Sequence, residues 1–297
     1  FPYTTLFRSE ISRYLPPQIG EVNLFSNVHL EESESRDEFW RNMMKYTQLT
    51  KLNIPILAKP AFFLEWMKTS PISTIKFHRD DRSLTKPLAS TLPEMKHLRS
   101  LQFTIACSTG VRLTMVSHIK KCTQLTHLNV WIVPNDMSNI GSLLENMHEL
   151  EELVIRLSRG FQLPTPFYAL HFPYLTSLTI TVSGSDLHLL ADFLERHPKL
   201  TKLAIQFYGD MNPDQSWKVL LSCPEVVTIK REDEASFATG CVLTHLPPTL
   251  RELYWGGFDG TMQIDLPTDH MLTHFQGEEL SNNVRRHQTL VGLHLDL

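Results

Sequence analysis

A six-residue phrase recurs along the chain: apolar, two variable, apolar, one variable, apolar. It is clearest in Leu175-Thr176-Ser177-Leu178-Thr179-Ile180 and again in Leu200-Thr201-Lys202-Leu203-Ala204-Ile205. Further copies start at Phe25, Leu49, Ile72, Leu98, Leu125, Leu150, Val226, Leu250, Leu272 and Leu290, at intervals of 18 to 27 residues. The fourth and sixth positions share one face of an extended chain, so each copy predicts a short strand with an apolar edge. A helical pattern follows most strands. Leu187, Leu190, Ala191 and Leu194 fall on one helical face, with Ser185 as the expected N-cap. Asn212-Pro213 offers another start, since proline is tolerated at the first helical position. The acidic run Glu31 to Glu38 reads as a solvated helix start, with Ser35 capping and Glu38 three residues on. Pro173, Pro198, Pro224 and Pro248 each lie two residues before a phrase start, where they end the helix.

A strand-loop-helix unit of roughly 20–29 residues built on this phrase marks a leucine-rich-repeat solenoid. The predicted fold is α/β: a horseshoe with a parallel sheet on the concave side and helices on the wider convex side. Because each repeat touches only its neighbours, residues 25–297 read as one domain of about twelve repeats, preceded by a turn-like segment at 10–24. Residues 1–9 resemble the translation of a widely used sequencing adapter and are expected to be foreign to the protein. The last strand is followed by no polar capping unit, so truncation is expected at both ends. Shorter, glycine-containing units near the C-terminus predict less helix there. Many such repeats carry Asn or Cys at the ninth position; here it holds Ala106, Val133, Ser158, Ser183, Tyr208 and Phe258. With no asparagine ladder, other groups must satisfy the turn amides, because leaving one unpaired costs about 1–3 kcal/mol.

Composition narrows function mainly by exclusion. The net charge is -4, and no basic stripe of the kind nucleic-acid binders carry is visible. No apolar run approaches the ~18 residues of a membrane span. The four cysteines, Cys107, Cys122, Cys223 and Cys241, lack metal-finger spacing. Cys122 and Cys223 fall three residues before a phrase start, the column that elsewhere holds Met95, Met147, Phe172 and His197, and so read as small core hydrophobes. Scattered free thiols favour a reducing compartment, cytoplasmic or nuclear. His78-Arg79-Asp80 matches a kinase catalytic triplet, but Thr85 stands where its asparagine belongs. Gly256-Gly257-Phe258-Asp259-Gly260 reads as a tight turn. No zinc-protease or nucleophile-elbow motif occurs. The expectation is no enzyme, no cofactor, no metal and no catalytic residue.

The remaining chemistry lies on the sheet. The outward positions of the phrase line the concave face, and Lys76, His78, Asn129, Trp131, Arg156, Gln206 and Tyr254 are the expected contacts for a protein partner. Trp131 and Arg156 lead because Trp, Tyr and Arg dominate interface energetics. Phrases such as His197-Pro198-Lys199-Leu200 and Cys223-Pro224-Glu225-Val226 resemble the repeat region of fungal F-box/leucine-rich-repeat proteins. The resemblance covers most of residues 25–297. It implies the substrate-capturing part of an F-box-type (SCF) ubiquitin ligase subunit, joined to the ligase scaffold through an F-box that this sequence does not contain. The alternative is a leucine-rich-repeat binding or regulatory protein with no ligase role.

Overall fold

The computed structural model describes residues 18–23, 33–54, 61–77, 86–105, 116–132, 140–157 and 162–208, together with the backbone of the strands at 226–231, 242–243, 252–256, 263–264, 274–277 and 292–295. The chain divides into two compact units, 1–149 and 150–297. Each is an α/β leucine-rich-repeat solenoid of parallel strands, with short helical segments in the described connections up to residue 195.

In the first unit, β1 (Glu21–Asn23), β2 (Lys51–Ile54), β3 (Thr74–Phe77), β4 (Ser100–Ile105) and β5 (His127–Ile132) pair in sequence order. Every described pairing between them is parallel. Register aligns Val22, Leu52, Ile75, Leu101 and Leu128 in one row, and all five are buried. Each buried leucine in such a row contributes about 1.5–3 kcal/mol through removal from water. The helical side is formed by α1 (Ser33–Met43), α2 (Ala61–Thr69), α3 (Lys86–Thr91) and α4 (Ile140–Leu144), with one helical turn near 116–119. Trp40 of α1 meets Phe63 of α2 with ring centroids 4.2 Å apart. The Lys68 ammonium of α2 bridges Glu65 at 2.6 Å and Glu94 at 2.9 Å.

Two expectations at this end are corrected. The first strand of the sheet is Glu21–Asn23, paired Val22 to Leu52, so the phrase in register with Leu49 begins at Ile19 and not at Phe25. Ile19, Val22 and Leu24 fit the apolar pattern as well as Phe25, Val28 and Leu30 do; sheet pairing chooses between them. Residues 24–30 lie outside the described residues. The first helix begins at Ser33, which places Ser35 inside it and not at its cap.

In the second unit, β6 (Glu152–Leu157), β7 (Ser177–Ser183), β8 (Lys202–Tyr208), β9 (Val226–Arg231), β11 (Glu252–Gly256), β13 (His274–Gly277) and β14 (Gly292–Leu295) form a parallel sheet. β10 (Val242–Leu243) and β12 (Gln263–Ile264) form a separate parallel pair. The row through Leu153, Leu178 and Leu203 is buried, and so is the next row, Ile155, Ile180 and Ile205. Two helices are described here, α5 (Thr165–Tyr168) and α6 (Leu187–Glu195). Leu187, Leu190, Ala191 and Leu194 of α6 are buried as their spacing predicts, and Phe193 joins them. A 3-10 turn, Gly184–Asp186, precedes α6, and Ser183 caps it by accepting from the Ser185 N–H at 3.4 Å. The residue at the N-cap of α6 is Asp186, whose side chain makes no capping bond, so Ser185 is not the cap. Ser183 occupies the ninth position, so at this repeat a hydroxyl does the work of the missing asparagine.

β9 corrects the placement of one phrase. Lys202 pairs with Val226 and Leu203 with Val227, so the phrase begins at position 224, two residues before Val226. A two-residue slip keeps every side chain on its own face, because the strand period is two; sequence alternation alone cannot detect it. The slip moves Lys230 from the fifth row to the seventh, beside Gln206. It also takes Cys223 out of the column with Cys122, and Cys223 itself lies outside the described residues.

That column, three residues before each phrase, is buried at Tyr46, Met95, Cys122, Met147, Phe172 and His197. Its carbonyl closes the helix-to-strand turn. The first-position N–H donates to it at 3.2 Å in Leu49, 3.3 Å in Leu98, 3.2 Å in Leu125, 3.2 Å in Leu175 and 3.0 Å in Leu200. Burial pushes the Cys122 thiol up to about 12. His197, 3% exposed, is a buried polar member of the column, whereas Thr69 at the same place before Ile72 is exposed. Its Nδ1 lies 2.6 Å from the Phe193 carbonyl, and the Phe172 N–H donates to its Nε2 at 3.0 Å. Its ring stacks on Phe193 with centroids 4.0 Å apart. Burial, the main cause, lowers its affinity for a proton; the Phe193 carbonyl opposes this, and His171 and Arg196 reinforce it.

Candidate functional site

The sheet face opposite the helices is framed by a hydrogen-bond ladder at the second position of the phrase. In repeat after repeat one carbonyl accepts from two consecutive amides of the next repeat. Gly20 C=O takes Thr50 N–H at 2.9 Å and Lys51 N–H at 3.0 Å; Thr50 C=O takes Ser73 and Thr74 at 2.8 and 3.0 Å; Thr176 C=O takes Thr201 and Lys202 at 2.8 and 3.0 Å. A hydroxyl often adds a third donor: Thr50 to Gly20 at 3.1 Å, Thr126 to Arg99 at 3.3 Å, Thr176 to Glu151 at 3.1 Å and Thr201 to Thr176 at 3.1 Å. The ladder locks the register of each strand start. Its signal lies in the sequence as Thr50, Ser73, Thr126, Thr176 and Thr201 in a single column, the second position of the phrase and not the ninth. Gly20 occupies the same ladder position, in agreement with a first phrase starting at Ile19.

Beyond the ladder the outward rows are polar. In the first unit, register aligns Asn23, Asn53, Lys76, Gln102 and Asn129. Beside them run Glu21, Lys51, Thr74, Ser100 and His127. Lys76 is exposed and Asn129 half-buried. Glu21 and Lys51 form an ion pair at 3.5 Å. Trp131 is half-buried in the row of Thr104. His78 lies outside the described residues.

In the second unit the rows are smaller and less polar. Val154, Thr179 and Ala204 share one row, and Val154 is 7% exposed although it points away from the helices. Thr181 is 1% exposed, and its hydroxyl donates to the Gln206 carboxamide oxygen at 3.3 Å. Arg156 is exposed and Gln206 half-buried. Tyr254 lies in register with Thr228 and Gln276, on the same outward row as Thr179 and Ala204. The structure therefore brings Lys76 and Asn129 into one row of the first unit. It places Gln206 two positions further along the sheet than the row of Tyr254 in the second.

Among the described residues no three His, Cys, Asp or Glu side chains come together as a metal ligand set. No described helix is long and apolar enough to cross a membrane.

No protein-family model matches the chain, and no curated protein matches its sequence. Among solved structures, the chain is similar to an internalin (inlF) from Listeria monocytogenes str. 4b F2365 at 14% sequence identity and a TM-score of 0.43, with 86% of this chain and 83% of that one covered.

Proposed function

We propose that this chain is a protein-interaction scaffold whose outward sheet faces take a protein partner, and that it forms the substrate-recognition part of an F-box-type ubiquitin ligase subunit. One observation carries the scaffold reading. Among the described residues the inward rows are apolar and buried, whereas the outward rows of the first unit present polar and charged side chains in register, at the strand spacing of about 4.8 Å. A face built of regularly spaced polar side chains is suited to recognition. Arg156 in the second unit and Trp131 in the first are the residue types that concentrate binding energy. The ligase assignment is the finer step, and it rests on the resemblance of the repeat phrases to F-box/leucine-rich-repeat proteins.

Photo-crosslinking in cells tests both levels. A crosslinker at position 129 or 156 should trap one protein that a crosslinker at position 121 or 192, both exposed and off the sheet face, does not. With the full-length protein, ligase scaffold subunits should co-purify. Capture without those subunits would leave a regulatory binding protein and remove the ligase role. Equal capture from every position would remove the outward face as the binding surface.

A further inference from the structure

We infer that the outward sheet face of the first unit binds an acidic, extended peptide segment of the partner. This inference deepens the scaffold reading and rests on it. The chain as a whole is acidic at -4, but its charge is divided unevenly. Residues 1–149 hold 17 Lys and Arg against 14 Asp and Glu, and residues 150–297 hold 11 against 18. The first unit is therefore the basic part of an acidic protein.

Within that unit the described outward positions hold few carboxylates. Toward the helices, Lys68 is held between Glu65 and Glu94, so its charge is spent internally. On the third, fifth and described seventh positions of β1–β5, Glu21 supplies the one carboxylate, and Lys51 neutralises it at 3.5 Å. Lys76 is left exposed in the middle of the face, with no ion pair among the described residues. Its row-mates are the carboxamides Asn53, Gln102 and Asn129. A carboxamide both donates and accepts, so this row can satisfy the N–H and C=O groups of a main chain laid across the strands. Lys76 supplies the attraction for carboxylates. From β1 to β5 the row spans four strand spacings, about 19 Å, which an extended segment of about six residues covers. A nucleic acid would demand a denser cationic stripe than two lysines.

Fluorescence anisotropy on the whole chain tests the inference. The probe is a fluorescein-labelled ten-residue peptide alternating glutamate and glycine. Its controls are serine/glycine and lysine/glycine counterparts and a single-stranded DNA ten-mer. The acidic peptide should bind about tenfold or more tighter than the serine peptide at low salt, and this advantage should shrink at 150 mM salt, where the Debye length is about 8 Å. Lys76→Glu should abolish the preference. Lys121→Glu, the same charge change at an exposed position off the sheet face, should change affinity less than about twofold.

Equal binding of the acidic and serine peptides, no binding of either, equal loss in both variants, or tighter binding of the DNA would each overturn the inference. Those results together with sheet-face crosslinks to a protein would leave the scaffold reading standing. Crosslinks absent from the sheet face would remove both.

Discussion

Replacing His197 with methionine isolates a pH response that the fold has placed in its own core. Methionine already fills the same column at Met95 and Met147, both buried, so the substitution is sterically ordinary there. The histidine is neutral in a defined form. Nδ1 faces the Phe193 carbonyl at 2.6 Å and must carry the proton, and Nε2 receives the Phe172 N–H at 3.0 Å and must be bare. A second proton would set two N–H groups against each other and leave the Phe172 amide unpaired, at a cost of about 1–3 kcal/mol. His171, whose ring centroid is 5.4 Å away, and the Arg196 guanidinium add to that resistance. The folded-state proton affinity therefore lies below the ordinary value of 6.5. The unfolded chain takes the proton first as pH falls. The stability contributed is complete above about pH 6.5 and is lost below it, by at most about 1.4 kcal/mol per pH unit until the lowered folded value is reached. Urea titrations between pH 8 and pH 5 should show the wild-type chain losing stability below pH 6.5. His197→Met should start about 1–3 kcal/mol less stable at pH 8, because the Phe172 amide has lost its acceptor, and the gap should narrow as pH falls. The difference between the two curves removes the contribution of Asp186, whose carboxyl burial pushes above the usual carboxylate range. Parallel curves at every pH would show that His197 is not the neutral clasp described.

Three further outcomes are expected. Leu178→Ala should cost about 2–5 kcal/mol, because Leu178 is 1% exposed in the middle of an inward row, whereas Thr179→Ala on the opposite face should stay within about 0.5 kcal/mol; equal effects in denaturant would refute the assignment of faces. Cys122, its thiol pushed up to about 12, should resist iodoacetamide at pH 8 in the native chain and react on unfolding, and rapid native labelling would show the column to be open. Thr201→Val should remove the hydroxyl bond to the Thr176 carbonyl while keeping the two amide bonds, costing about 0.5–1.5 kcal/mol by urea denaturation; a loss beyond about 3 kcal/mol would mean that the hydroxyl, and not the amide pair, carries the ladder.

The repeat architecture was readable without coordinates because its cause is local and repeated. Leu101 and Leu128 in the first unit, and Leu153, Leu178 and Leu203 in the second, must each leave water, and register sets each beside its counterpart in the neighbouring repeat of its unit. Burial of the column at Met95, Cys122, Met147, Phe172 and His197 follows from the same periodicity. What periodicity cannot set is phase. Ile19 and Phe25 open equally good apolar phrases, and positions 224 and 226 differ by a slip that leaves every side chain on its own face. Inter-strand hydrogen bonds, made between residues far apart in sequence, select one alternative in each case. The same holds for the outward surface. Exposure of Lys76 and Arg156 followed from alternation, but the burial of Thr181 and Val154 did not. Which amide bonds which carbonyl, and which cation is left without a carboxylate, are properties of neighbours that meet only when the strands are laid side by side.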